Sequence, residues 1–426
     1  MNQSIFTRRH FLRTSLLGGA AAWSVPAFLE STFLSLDAAA ADSLLPTPTG
    51  KDHSILVILQ LAGGNDGLNT VVPFADDAYR AARPKLAIAS RDVLKINDAT
   101  GLHPSLAGLR GLYDDGHLAV IQGVGYPNPN RSHFRSTDIW QTASDADVVE
   151  SHGWVGRYFD ACCSGEDPEV GIAISRQEPL AFSGKNRQGL AFQSPGGLEF
   201  RNDMEPAGMQ EVTESAGGSI DMLPGSSASA SPADFLRRVA LNATMSSDKI
   251  RDVTSRFHPT APFPKNRLGS SLELVSRLIA GSMPTRVYYV SQGGYDTHSN
   301  QSGSHSRLLA ELDAALTAFT NEMKAQGNLD RVLLMTFSEF GRRVAENASG
   351  GTDHGAAAPL FVIGGSTQAG IHGPSPDLTR LDRGDLIHST DFRSVYATIL
   401  ESWLKTRPDT ILKGKFPTLP FLAPAA

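Results

Sequence analysis

Two short segments in the C-terminal third carry the residue types that hold a divalent cation: Asp296-Thr297-His298 and Asp353-His354. Imidazole with carboxylate suits Zn, Mn or Fe, and carboxylate alone suits Mg or Ca. Taken singly, either pair reads equally well as a loop turn with a solvated histidine. Three further segments add to them. Asn65-Asp66 offers a carboxylate, or a residue that only shapes the glycine-rich turn from Gly63 to Gly67. Ser338-Glu339-Phe340-Gly341-Arg342 offers another carboxylate and an arginine, which could clamp an oxyanion or pair with Glu339 or another carboxylate. Asn130-Arg131-Ser132-His133 puts a serine at the start of a predicted helix, where backbone N–H groups and the positive helix end favour an anion. A serine so placed could attack phosphorus or sulfur while a metal holds its oxygen. The plain alternative is an N-cap.

What must position these residues is a row of strand ends. Ile55–Leu61 is a near-continuous apolar run, as expected of a strand buried on both faces, and it ends in Gly63-Gly64-Asn65-Asp66. His117–Ile121 reads as a strand, followed by the Pro-rich loop Tyr126–Asn130 and a helix over Arg131–Thr142. Arg286–Val290 ends in Gly293-Gly294-Tyr295-Asp296, and Arg331–Phe337 ends in Ser338-Glu339. Pro359–Ile363 is a further strand, with Asp353-His354 just ahead of it. A short strand is expected within Glu169–Ile174, and helices at Pro104–Tyr113, Pro232–Phe257, Leu268–Ser282, Leu308–Ala325 and Phe392–Trp403. This alternation predicts an α/β fold, a mostly parallel central sheet with helices on both faces. In open sheets of that kind ligands bind outside the carboxyl ends of the strands. The candidate groups recur at that edge, and their coincidence says more than any one motif. His53, His103, His117, His152, His258 and His372 have no such neighbours and read as ordinary histidines, while His388 stays open.

The N-terminus reads as an address. Thr7-Arg8-Arg9-His10-Phe11-Leu12-Arg13 precedes the apolar run Leu16–Val25 and the small residues Ala38–Ala41. That is the pattern of a twin-arginine signal peptide over 1–41, with cleavage near Ala40 or Ala41. The apolar run is shorter than the ~20 residues a bilayer span requires, so no stable membrane span is expected after cleavage. The expected location is the periplasm or the extracellular space, with the twin-arginine translocase as a partner during export. A linker over 42–53 leads into one domain over 54–420, with a Gly/Ser-rich insertion at 216–232 read as a mobile surface loop. Net charge is −6 and no basic tract is present, so nucleic acid is not an expected partner. The only cysteines, Cys162 and Cys163, are adjacent. Neighbouring cysteines rarely bridge each other, so two separate small residues on a helix starting near Gly153 are expected.

Three longer motifs, Leu59-Gln60-Leu61-Ala62-Gly63-Gly64-Asn65-Asp66-Gly67-Leu68-Asn69-Thr70, Tyr126-Pro127-Asn128-Pro129-Asn130-Arg131-Ser132-His133-Phe134 and Ser338-Glu339-Phe340-Gly341-Arg342, resemble the bacterial family called domain of unknown function 1501. The resemblance runs from about Ile55 to Leu419 and includes the leader. It implies an alkaline phosphatase-like fold, shared with the sulfatases and the cofactor-independent phosphoglycerate mutases. Asp66 matches that superfamily's aspartate after the first strand, and Ser132 its nucleophile. Asp296 and His298 resemble a later Asp and His pair, at closer spacing than usual, and His354 resembles a further histidine. One departure matters. Where the superfamily has Asp-His after the penultimate strand, this chain has Ser338-Glu339. An imidazole is missing, which reduces a two-metal site to one metal or none.

The resulting expectation is an exported metal-dependent hydrolase of phosphate or sulfate esters, acting on a small-molecule or glycan ester. Ser132, Arg131 and Arg342 would be catalytic. Asp66, Asp296, His298, Glu339 and His354 would hold the divalent cation, Zn, Mg, Mn or Ca. The alternative, motivated by Ser338-Glu339, is a non-catalytic envelope protein of the same fold whose degenerate site binds a glycan or a partner protein.

Overall fold

The structure is a computed structural model that describes residues 53–163, 168–194 and 246–422. The expected leader at 1–41, nearly all of the 42–53 linker and the 216–232 insertion lie outside the described residues, as does the first part of the helix expected at 232–257, of which 246–256 is helical.

Nine strands form one sheet: β1 (Ile55–Ala62), β2 (Leu118–Gly125), β3 (Gly171–Ile174), β4 (Leu190–Phe192), β5 (Val287–Gly293), β6 (Val332–Phe337), β7 (Ala358–Gly364), β8 (Gly370–His372) and β9 (Thr390–Asp391). Their order across the sheet is β8-β2-β7-β6-β1-β5-β3-β4, with β9 also on β2. The pairs on either side of β1 are parallel, with Ala62 opposite Gly293 and Gln60 opposite Phe337. The exception is β7, which runs antiparallel to both β6 and β2. The sheet is therefore mixed and mostly parallel. Reversal of β7 has one consequence for function: its beginning, not its end, lies beside the carboxyl ends of β1, β2, β5 and β6. The residues just ahead of it reach the same rim.

Alternation along β1 explains why this apolar run is a central strand. Ile55, Val57, Leu59 and Leu61 enter one core; Leu56 and Ile58 enter the other. Burying each such side chain contributes about 1.5–3 kcal/mol. The first core is covered by α1 (Ala107–Asp114), α4 (Arg267–Ala280) and α5 (Gln301–Ala325). Covering the second are α2 (His133–Thr142), α3 (Trp154–Cys162) and α6 (Phe392–Thr398). Helices thus lie on both faces, as expected. In α4, Leu268, Leu272, Val275 and Ile279 recur at helical spacing and are all buried.

Three differences from expectation concern the helices and the cysteines. The α5 helix begins seven residues before the predicted Leu308, because polar Gln301 and His305 are buried too and serve the rim rather than the core. The closing helix passes into a π-turn over Ile399–Trp403. Cys162 and Cys163, expected as separate thiols, form a vicinal disulfide at the end of α3.

Candidate metal centre

Each strand end delivers one part of the site. Asp296 follows the turn after β5, where Gly293 and Gly294 leave the sheet. His298 stands two residues on, and His354 precedes the reversed β7. From the far side of the sheet, α2 begins at His133 directly after Ser132.

Three imidazoles meet Asp296. His298 Nε2 and His354 Nε2 lie 3.0 Å and 3.1 Å from Asp296 Oδ1, and 2.9 Å from each other. His133 Nε2 lies 3.5 Å from Asp296 Oδ2. Ligand atoms of His133, Asp296 and His354 all fall within 4.8 Å of one another. The group is open to solvent on one side, with side-chain exposure from 22% for His354 to 47% for Asp296.

The opposite ring nitrogens fix the chemistry. His354 Nδ1 donates to the Arg131 carbonyl at 2.8 Å, and a carbonyl only accepts. Nδ1 of His133 contacts Glu339 Oε1 at 2.8 Å, and Nδ1 of His298 contacts Asp353 Oδ1 at 3.3 Å. The amide of Asn347 and the neighbouring His298 hold the Asp353 carboxyl below its usual range, so Asp353 accepts as a carboxylate. With the proton at Nδ1, each neutral ring turns a lone pair at Nε2 toward Asp296. Nε2 of His298 and of His354 faces one oxygen of Asp296 and Nε2 of His133 faces the other, an arrangement of donors that a divalent cation would satisfy. An oxygen partner on the outer nitrogen is also what metal-binding histidines use to fix their tautomer. Around a tetrahedral ion with bonds of about 2.0–2.1 Å, ligand atoms lie roughly 3.3 Å apart; the three contacts to Asp296 are of that order, while His298 falls outside the group of His133, Asp296 and His354 whose ligand atoms all approach one another. The donors of His133, Asp296 and His354 therefore fit a divalent cation, with His298 beside them.

Arg342 anchors the rim from below. Its side chain is wholly buried, and it donates to the Gly64, Thr352, Tyr295 and Gly63 carbonyls and, at 2.7 Å, to Asp296 Oδ1. Partial burial alone would raise the Asp296 carboxyl, but the hydrogen bond and the charge of Arg342 outweigh it and hold it at about 2. Arg342 thus takes the second of its two readings, pairing with a carboxylate, and the carboxylate is Asp296 rather than Glu339. The expected oxyanion contact does not fit a guanidinium with no exposed surface. Gly63 makes the close approach possible. Its φ is +120°, and a Cβ there would stand 2.5 Å from the Asp296 nitrogen.

Two expected ligands have other partners. Asp66 is fully buried, paired with Arg83 at 2.6 Å and bonded to Gln301 Nε2. Burial alone would raise its carboxyl, but the charge and hydrogen bond of Arg83 win and lower it. The departure has a simple cause: a carboxylate inside the fold needs a fixed counter-charge, and Arg83 supplies it. Glu339 is likewise buried, accepting from the Gly63 N–H at 2.8 Å and holding His133, with its carboxylate behind that ring. Ser338 braces the sheet by donating to the Leu61 carbonyl and accepting from the Asn65 N–H.

Ser132 is exposed and occupies the N-cap position of α2, but its hydroxyl makes no capping hydrogen bond. Beside it, Arg131 is held by Asp385 through Nε at 2.9 Å and through a second nitrogen, leaving its side chain 35% exposed. The residue missed by the sequence reading is His133. Its signal was present: a histidine in the first turn of a helix that follows a strand of the same rim. Phe340 backs the centre, its ring centroid 4.9 Å from His133 and 4.5 Å from His354.

Among the described residues no helix is long and apolar enough to cross a membrane. No curated protein matches the sequence. Solved structures resemble the chain at low identity. A protein in the alkaline phosphatase superfamily from Vibrio parahaemolyticus is 11% identical, covering 82% of this chain and 71% of its own, at a TM-score of 0.33. The C-terminal periplasmic domain of EcEptC from Escherichia coli is 10% identical, covering 87% and 90%, at 0.37. The phosphonate monoester hydrolase SpPMH from Silicibacter pomeroyi is 10% identical, covering 85% and 75%, at 0.35. The profile of one family, described as "Protein of unknown function (DUF1501)", matches residues 53–404, and this chain belongs to that family.

Proposed function

We propose that the protein is an exported, metal-dependent hydrolase of phosphate or sulfate esters. The observation that carries this reading is the convergence of His133, His298 and His354 on Asp296, each ring with its outer nitrogen held by an oxygen. Those four residues would hold one divalent cation, in place of the larger set expected from the sequence. Such a cation would neutralise charge on a transferring phosphoryl or sulfuryl group and acidify a nearby hydroxyl. Ser132, next to His133 and free of a cap bond, is the proposed nucleophile. Its Oγ attacks phosphorus or sulfur, the ester oxygen leaves as an alcohol with the serine proton, and water then releases the serine ester as phosphate or sulfate. Arg131 presents a partly exposed guanidinium beside that serine, positioned by Asp385. The twin-arginine pattern and the small-residue cleavage region of the sequence support the part of this proposal that concerns export.

Protein purified from its native compartment should contain one equivalent of a transition metal and cleave a generic aryl phosphate or sulfate. Ser132→Ala should abolish turnover while leaving the metal in place. A folded protein without metal or turnover contradicts the proposal.

One observation favours a second reading. Asp66, which the family resemblance offered as a first ligand, is committed to Arg83, so the ligand set is short. A non-catalytic envelope protein that binds a glycan or partner through the same rim would keep the metal and survive Ser132→Ala without a change in cellular function.

A further inference from the structure

Glu339 is the only carboxylate that reaches the back of a centre histidine from inside the protein, among the described residues. Its side chain is 3% exposed. One oxygen, Oε1, receives both the Gly63 N–H and His133 Nδ1, each at 2.8 Å. The other, Oε2, is buried with no hydrogen-bond partner. The backbone is pinned as well, since Ser136 Oγ donates to the Glu339 carbonyl. His133 cannot turn freely, because Phe340 and His354 pack against its ring.

The three outer-nitrogen partners are not equivalent. His354 has a neutral carbonyl, and His298 has Asp353, which is half exposed and screened by water. His133 alone has a buried charge, whose field on the ring is far less screened. We propose that Glu339 is a positioning residue that acts through His133. It fixes the proton at Nδ1, aims the Nε2 lone pair at Asp296 and makes that nitrogen a stronger donor to a cation, without touching the cation itself. This inference rests on the metal-centre reading above, and it replaces the expectation of Glu339 as a direct ligand.

Glu339→Gln is the informative variant. An amide oxygen can still accept from both the Gly63 N–H and His133 Nδ1–H, while the charge is gone. Two quantities are read: the zinc dissociation constant, by competition with a chromophoric chelator, and the 15N shifts of the His133 ring in zinc-free protein. In the native chain His133 should carry its proton at Nδ1. Glu339→Gln should keep the native melting temperature and the Nδ1–H tautomer of His133 while weakening zinc binding 10- to 100-fold. Unchanged affinity with an unchanged tautomer would reduce Glu339 to a brace for Gly63. Loss of one oxygen from the zinc coordination shell in the variant would make it a direct ligand; either result overturns the proposal. Should the variant fail to fold, the native tautomer decides alone, since an Nε2–H His133 contradicts the proposal. A native chain that binds no zinc yet holds His133 as Nδ1–H would defeat the metal-centre reading and leave the Glu339–His133 relationship standing.

Discussion

His298 Nε2 and His354 Nε2 stand 2.9 Å apart, and both lie within 3.1 Å of one Asp296 oxygen. With protons on their outer nitrogens, the two lone pairs face each other. A cation turns that repulsion into binding, so the folded state should gain stability from metal. Zinc at a hundred times its dissociation constant stabilises by ~2.7 kcal/mol. The melting temperature should rise by several degrees on adding zinc and fall on chelation. In His354→Ala that response should disappear.

Asp66 and Arg83 form an ion pair with both side chains at 0% exposure. Breaking a buried pair by removing one charge costs about 3–5 kcal/mol, because the other is left uncompensated. Asp66→Asn should lower stability by that order in a denaturant titration, while the folded protein keeps its metal. Metal loss at native stability would make Asp66 a ligand after all.

Gly63 brings the β1 turn against the backbone of Asp296. Gly63→Ala places a methyl 2.5 Å from the Asp296 nitrogen and forces an L side chain into φ +120°. Strain of this kind costs of order 1–3 kcal/mol. Both the melting temperature and zinc affinity should drop. A variant with lower stability but native affinity would show that the turn does not position Asp296.

His103 and His305 lie behind the rim, and burial depresses both to about 4, against the opposing charge of Asp66. Each stays neutral in the fold while its unfolded counterpart takes a proton below about 6.5. The unfolded state therefore binds more protons in this window, and stability falls as pH drops from about 6.5 to about 4. A depression from 6.5 to about 4 corresponds to a loss of about 3 kcal/mol for each ring. In His305→Asn the slope of unfolding free energy against pH in this window should be shallower than in the native chain. An unchanged slope would mean that His305 titrates normally.

Much of the rim was legible in the sequence because strand ends announce themselves. Apolar runs broken by glycine placed Asp296, His298 and Glu339 at one edge, and Asp353-His354 ahead of Pro359 reached it through the reversal of β7. What a strand end does not reveal is which way a side chain turns. Asp66 and Glu339 sit at the predicted edge but point inward, toward partners 17 and 206 residues away in sequence. No local spacing encodes Arg83 as the mate of Asp66 or Glu339 as the mate of His133. His133 was hidden by Ser132, whose place at a helix start already offered a complete chemical reading.

X-ray absorption on the metal-loaded protein tests the central claim most directly. The account predicts one metal per chain, bound by three imidazole nitrogens and a carboxylate oxygen at about 2.0–2.1 Å, with the nitrogen count falling to two in His133→Ala. A shell of oxygens alone, or a native count that His133→Ala does not change, would contradict it.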